Sequence, residues 1–267
     1  MGFYIGKQRI TPVINKGRKF GVTIDGLIGT IDESGTLQLP TEEFVLNGQG
    51  IKSLVFPGLK SKFESCPITA VYLPNLTSVA DQCLDLMCAG CSKLKVLDLS
   101  NLETATGNYV CENIAYSCPE LEELHLEKLR TIDGQYAFVA AFAGCKKLQK
   151  ADLKSLQTIS NSSSVAQMFY GCTGLKEVDL SSLQTITGSG CCQSMFKNCT
   201  GLTKVSFPAL TTISTTNAFG SGTALIFYGC SGITELHFRA DTQATIEAMT
   251  GYSTKFGATS STIYFDL

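Results

Sequence analysis

Residues 172–198 read CTGLKEVDLSSLQTITGSGCCQSMFKN, and their neighbours are copies of them. CKKLQKADLKSLQTISNSSSVAQMFYG opens at Cys145, CPELEELHLEKLRTIDGQYAFVAAFAG at Cys118 and CSKLKVLDLSNLETATGNYVCENIAYS at Cys91, each 27 residues from the next, and a further copy opens at Cys199. A 25-residue copy starts at Cys66, and the copy from Cys199 runs 31 residues to Cys230. Self-similarity at such a period marks a solenoid, in which each unit buries its apolar face only against its neighbours.

With each repeat numbered from its cysteine as position 1, the pattern resolves. Position 4 carries Leu94, Leu121, Leu148, Leu175, Leu202 and Ile233. Position 7 carries Leu97, Leu124, Ala151, Val178, Val205 and Leu236, and position 9 carries Leu99, Leu126, Leu153, Leu180, Phe207 and Phe238. The spacing of two between positions 7 and 9 is the strand period, so these segments predict one parallel sheet. Position 12 is leucine from Leu102 to Leu210. Thr at position 14 and Ile at position 15 (Ile132, Ile159, Ile186, Ile213) predict a second short strand or turn. Met168-Phe169 and Met195-Phe196, at positions 24 and 25, have the spacing of a single helical turn that drops an aromatic into the core.

This LxxLxxVxLxxLxTI pattern, returning through MFxxC or AFAGC, resembles a leucine-rich repeat of the bacterial surface-antigen type, also called BspA-like or Treponema-type. The resemblance covers roughly residues 51–238 and rests on spacing that recurs in register. It implies a β-rich α/β fold: a curved, right-handed solenoid with one parallel sheet and single-turn helices, which binds other macromolecules and is not an enzyme. Residues 1–45 do not fit the repeat. There FYIGKQRITPVI, FGVTIDGLIGTID and TLQLP alternate apolar with polar or glycine residues and predict a small β-rich cap. GKQRITPVI followed by VTIDGLIGTID also resembles short β modules of prophage tail and fibre proteins, which implies, as the alternative to binding or adhesion to a macromolecular partner, a structural or receptor-binding component of a prophage tail or fibre. The repeat array spans 46–238. Residues 239–267 predict a second cap: Asp241 caps a short helix, TQATIEAMT, whose Ile246 and Met249 share a face, Gly251 ends it, and STIYFDL is a last strand.

Composition narrows the function. The 267 residues are 44% hydrophobic and 16% charged, with mean hydropathy +0.14, ample for a continuous core. A net charge of −2 and a pI near 5.8 provide no global field for phosphate backbones, so nucleic acid is not expected as a partner. Lys7, Arg9, Lys16, Arg18 and Lys19 read as guards of a strand edge. With no 18-residue apolar run, no membrane span is expected. The N-terminal MGFYIGKQRITPVINKG has neither a seven-residue apolar core nor a small-residue cleavage site, so it does not read as a signal peptide. Proteins of the resembled type are usually exported. A cell-surface or extracellular location is therefore the expectation, with a phage particle or the cytoplasm as the alternative.

Twelve cysteines suggest a disulfide framework until their register is read. Seven open a repeat and stack in one interior column, where parallel side-chain vectors do not offer a disulfide torsion, so reduced thiols are expected. Cys88 and Cys91 form CAGC, but Cys91 holds the core register and no second CxxC completes a zinc site. Cys191 and Cys192 straddle position 21, so one is expected to point in and one out. His125 and His237 accompany no GxSxG, GxxxxGK or complete GxGxxG, so neither catalysis nor a cofactor is expected.

Two strand positions face outward. Position 6 (Val96, Glu123, Lys150, Glu177, Lys204, Glu235) alternates in sign, which predicts a ladder of attractive pairs. Position 8 carries Asp98, His125, Asp152, Asp179, Ser206 and His237, acids and a histidine with nothing obvious to gain from one another. Solvated surface is the plain reading of this strip. A strip facing a protein or glycan ligand, with Asp98, His125, Asp152, Asp179 and His237 as its contacts, is the sharper one.

Overall fold

The structure, a computed structural model, describes residues 59–61, 63–73 and 76–267 in full, and before residue 59 only the backbone of short strands. The resemblance of the N-terminal segment to tail and fibre modules lies outside the fully described residues.

Each repeat makes one coil, and each coil contributes to three ladders. The first is the expected parallel sheet, paired residue on residue one repeat apart: Asp98 opposite His125, Asp152 opposite Asp179, Ser206 opposite His237. It is built in three segments. Glu43–Val45, Ala70–Tyr72, Val96–Asp98 and Glu123–His125 pair first, then Lys150–Asp152 with Glu177–Asp179, then Lys204–Phe207 with Glu235–Phe238 and Thr262–Phe265. From Val96–Asp98 to Glu235–Phe238 the inward residues at positions 7 and 9 are buried, except that Val178 stays half-buried beside the second break, and on the last strand Ile263 and Phe265 are half-buried too. The threonine-isoleucine pairs form a second parallel sheet of seven strands, from Ser53–Leu54 to Thr212–Ile213.

The third side is a chain of linked turns. A single helical turn is expected at positions 24 and 25, but the backbone there returns to the left-handed region at every fourth residue. Tyr109, Asn113 and Ser117 show φ near +55°, and Tyr136 and Ala140 repeat them one coil on. Alternate amides then point along the solenoid axis. Tyr109, Cys111, Asn113, Ala115 and Ser117 donate to Gln135, Ala137, Val139, Ala141 and Ala143 of the next coil, at 2.7 to 3.1 Å. A helix would spend those donors within its own coil, whereas the turns spend half of them between coils. Within the array a short 3₁₀ turn forms at Gly222–Ala224, in the longest repeat.

This backbone explains the core. Cys191 and Cys192 are both buried, as are their equivalents Val110 and Cys111, Ala137 and Phe138, and Ser164 and Val165. The expected inward-outward split fails because linked turns do not alternate faces as a strand does. Phe142, Phe169, Phe196 and Phe227 stack face to face with centroids 5.5, 5.7 and 5.8 Å apart. All twelve cysteines are free thiols. In the register column each buried thiol donates to the carbonyl three residues ahead of the preceding register cysteine: Cys172 to Phe142 (3.1 Å), Cys199 to Phe169 (3.0 Å), Cys230 to Phe196 (2.7 Å). Cysteine thus fills a small apolar site and adds a weak hydrogen bond along the stack.

At the C-terminus, Gln243–Glu247 is helical, with Ile246 and Met249 buried and Gly251 left-handed at φ 88°. Asp241 does not cap it. Arg239, two residues upstream, takes the carboxylate through Nε at 2.8 Å, and the helix start has no side-chain cap. Thr262–Phe265 adds the last strand beside Glu235–Phe238. No helix among the described residues is long and apolar enough to cross a membrane.

Candidate functional site

The outward face of the first sheet carries the position-8 strip, and its three segments divide that strip into three pairs. Asp98 lies opposite His125, Asp152 opposite Asp179, and Ser206 opposite His237. The aspartates have local work that the sequence reading did not assign. Each accepts the backbone N–H two residues on: Asp98 from Ser100 at 2.8 Å, Asp152 from Lys154 at 3.2 Å, Asp179 from Ser181 at 2.9 Å. This closes a turn where the strand ends. One oxygen of each carboxylate is thereby tied down, and all three side chains remain half-exposed.

The histidines differ. His125 Nδ1 lies 2.7 Å from Glu127 Oε1, and its Nε2 is 3.7 Å from Glu123. Partial burial works against the charged ring, but the hydrogen bond and charge of Glu127, with Asp98 and Glu123, outweigh it and raise its pKa above the ordinary histidine value. His237 is only 8% exposed. Its nitrogens meet Asp266 at 2.8 Å and Glu235 at 3.1 Å, and its ring stacks on Tyr264 at 4.7 Å. It is closed off from the face it was expected to serve. The hydrogen bonds from His237 and then Lys204 hold the Glu235 carboxyl below its usual range.

Position 6 pairs within segments. Lys150 meets Glu177 at 2.9 Å and Lys204 meets Glu235 at 3.3 Å. At each of the two breaks the outer face opens into a cleft of about 450 Å³. One lies among Glu122, Lys146, Lys147, Gln149 and Lys176, the other among Lys176, Val178, Asp179, Lys204 and Ser206. Lys176 lines both and is exposed. The central segment is therefore a two-stranded island with paired carboxylates on its face and a cleft on either side. Lys176 was legible in the sequence only as a position beside core Leu175, because nothing in the repeat signals where the sheet parts. Among the described residues, no group of three or more His, Cys, Asp or Glu is arranged to hold a metal ion.

The family model of the BspA type leucine rich repeat region matches residues 59–140 and 139–225, in six copies. No curated protein matches this chain. Among solved structures, a leucine rich repeat protein of T. pallidum (TpLRR) is similar at 17% identity, covering 79% of this chain and 78% of its own, with a TM-score of 0.36. The TLR13–ssRNA13 complex is similar at 16% identity with a TM-score of 0.40. That match covers 74% of this chain, which spans only 28% of the other.

Proposed function

The chain belongs to the BspA-type leucine rich repeat family, and from that premise we propose that it is a non-catalytic interaction protein that binds a protein partner through the outer face of its first sheet. The observation that carries this reading is the central island, where Asp152 and Asp179 stand side by side between two clefts that share Lys176. The other charges of the face are spent on one another: Lys150 on Glu177 at position 6 of the island, and beyond it Lys204 on Glu235 and His125 on Glu127. Asp152 and Asp179 keep an oxygen clear of their turn hydrogen bonds, with Lys154 reaching that of Asp152 at 3.3 Å. Clefts beside a charged ridge can seat the side chains of a partner loop.

Carboxylates outnumber lysines at positions 6 and 8, whereas Lys146, Lys147 and Lys176 accompany Glu122 alone around the first cleft, so the preferred partner sets basic groups on the strip and an acidic group in that cleft, and its capture is faster at low salt. Adhesion at a cell surface or in the extracellular space is the setting we propose. The test is a binding screen of immobilised full-length chain against purified secreted and surface proteins, repeated with Asp152→Asn/Asp179→Asn and with Lys176→Ala. A partner that loses about tenfold in affinity with either variant supports the reading. A partner indifferent to both places the site elsewhere.

A further inference from the structure

The turn side ends in a third cleft, unlike the two on the sheet. Four residues beyond the 27-residue period push the 220–224 loop outward in the longest repeat. The C-terminal segment then folds back over the last coil. Phe227 donates its backbone N–H to the Phe256 carbonyl at 3.0 Å, and Phe256 enters the core edge-on to Phe219 at 5.2 Å. Gly257 permits this approach, since a Cβ there would collide with the backbone of Tyr228. Between the two segments lies a cleft of about 440 Å³, within the range of roughly 300 to 1,000 Å³ that accommodates small ligands.

Its lining is chemically distinctive. None of the residues around it carries a charged side chain. Leu225 and the 41%-exposed ring of Tyr228 supply apolar wall, and Ser231, Thr254, Thr259 and Ser260 supply hydroxyls. Thr254 donates to the Gly251 carbonyl. The hydroxyls of Ser231, Thr259 and Ser260 make no hydrogen bond among the described residues. A cationic ligand would lose hydration here without gaining a counter-charge, and the nearest ammonium groups, those of Lys197 and Lys255, are already taken by the Thr223 and Thr259 carbonyls. A purely apolar one would leave the hydroxyls desolvated and unmatched. A ligand with both an apolar ring face and many neutral hydroxyls satisfies the whole lining.

The row continues beyond the cleft. Carbonyls of Tyr116, Ala143, Tyr170, Lys197 and Tyr228 occupy one ladder position on successive coils. Tyr116 and Tyr170 are 46% and 37% exposed. The Lys197 ammonium sits between two of the rings, 5.9 Å from Tyr170 and 5.0 Å from Tyr228, and steadies them as cation–π partners. The tyrosines recur every second coil, roughly 10 Å at ~4.8 Å per coil, the length of a disaccharide.

We propose that this cleft and the tyrosine row leading from it bind a neutral oligosaccharide, its terminal ring on Tyr228 and its chain lying along the solenoid axis. The site is on the turn side, separate from the sheet face, so either can fail without the other. The test is an NMR titration of the isotope-labelled full chain with maltotriose, cellotriose and triacetylchitotriose, and with a heparin disaccharide as the charged comparison. The expected result is saturable shifts at the Gly222, Gly229 and Gly257 amides with at least one neutral sugar. Tyr228→Ala weakens that binding about tenfold or more, Tyr228→Phe keeps it, and Tyr264→Ala, whose exposed ring lies on the first sheet, leaves it unchanged. Thermal melts of each variant confirm folding. Absence of saturation with every neutral sugar, saturation by the heparin disaccharide alone, or equal binding by a folded Tyr228→Ala overturns the proposal.

Discussion

Replacing Asp152 and Asp179 together separates folding from recognition, because alanine and asparagine remove different things. Each aspartate accepts one backbone N–H, from Lys154 and Ser181. Alanine deletes that acceptor and leaves the amide of an exposed turn to water, at about 0.5 to 1.5 kcal/mol per site. The Asp152–Lys154 ion pair at 3.3 Å is solvent-exposed and contributes little more. The double alanine variant should therefore lie about 1 to 3 kcal/mol below the double asparagine one, since both lose the repulsion between the two carboxylates and only alanine loses the turn acceptor. Asparagine keeps an oxygen in the same place, and asparagine closes such turns as readily as aspartate. It also removes the repulsion between two carboxylates paired directly across the strands, which costs on the order of 0.2 to 1 kcal/mol. The double asparagine variant should thus match the wild type or exceed it slightly. Urea denaturation at fixed low salt, compared through the midpoint at constant slope, reads both values. Equal destabilisation by alanine and asparagine would refute the turn as the aspartates' structural role.

Three further outcomes follow from the same geometry. Phe169→Ala should cost about 3 to 5 kcal/mol, since it empties the middle of a four-ring stack, whereas Tyr170→Ala beside it, exposed, should stay within about 0.5 kcal/mol; comparable losses in urea melts would mean the turn-side register is misassigned. Half-buried Cys66 should react first with a bulky thiol reagent because it alone of the register column is reachable, and buried Cys118 and Cys230 only on unfolding, since burial pushes the Cys230 thiol, and burial with the charge of Cys91 the Cys118 thiol, up to about 12; rapid native-state labelling of those two would contradict that. The His125 ring should titrate above the ordinary value of about 6.5, and Glu127→Gln should lower it; with a raised folded value, the stability it contributes is full at pH below its unfolded pKa and fades as pH rises through the folded one, so an NMR titration showing no response to Glu127→Gln would remove Glu127 as the cause.

Periodicity alone determined the coil. Leucines at positions 4, 7, 9 and 12 and isoleucine at 15 recur at an unchanging interval, and burying them against identical neighbours has essentially one solution, a stacked parallel array. The interior cysteine column follows from the same register. Tertiary structure decided what has no period. Linked turns, not helical ones, form the third side because inter-coil hydrogen bonds are available only after the coils stack, and no local pattern announces them. They also carry both Cys191 and Cys192 inward. The sheet parts after His125 and again after Asp179, creating the clefts around Lys176, though the strands on either side of each break share one sequence pattern. Position 8 was visible as an outward strip, but a strip of residue types does not say which members are occupied. His237 is closed off by Asp266, which lies 29 residues away and reaches it only when the last strand docks. Asp98, Asp152 and Asp179 turn back on their own backbone. Sequence thus specifies which side chains share a face, and the contacts among distant segments specify which of them are left for a partner.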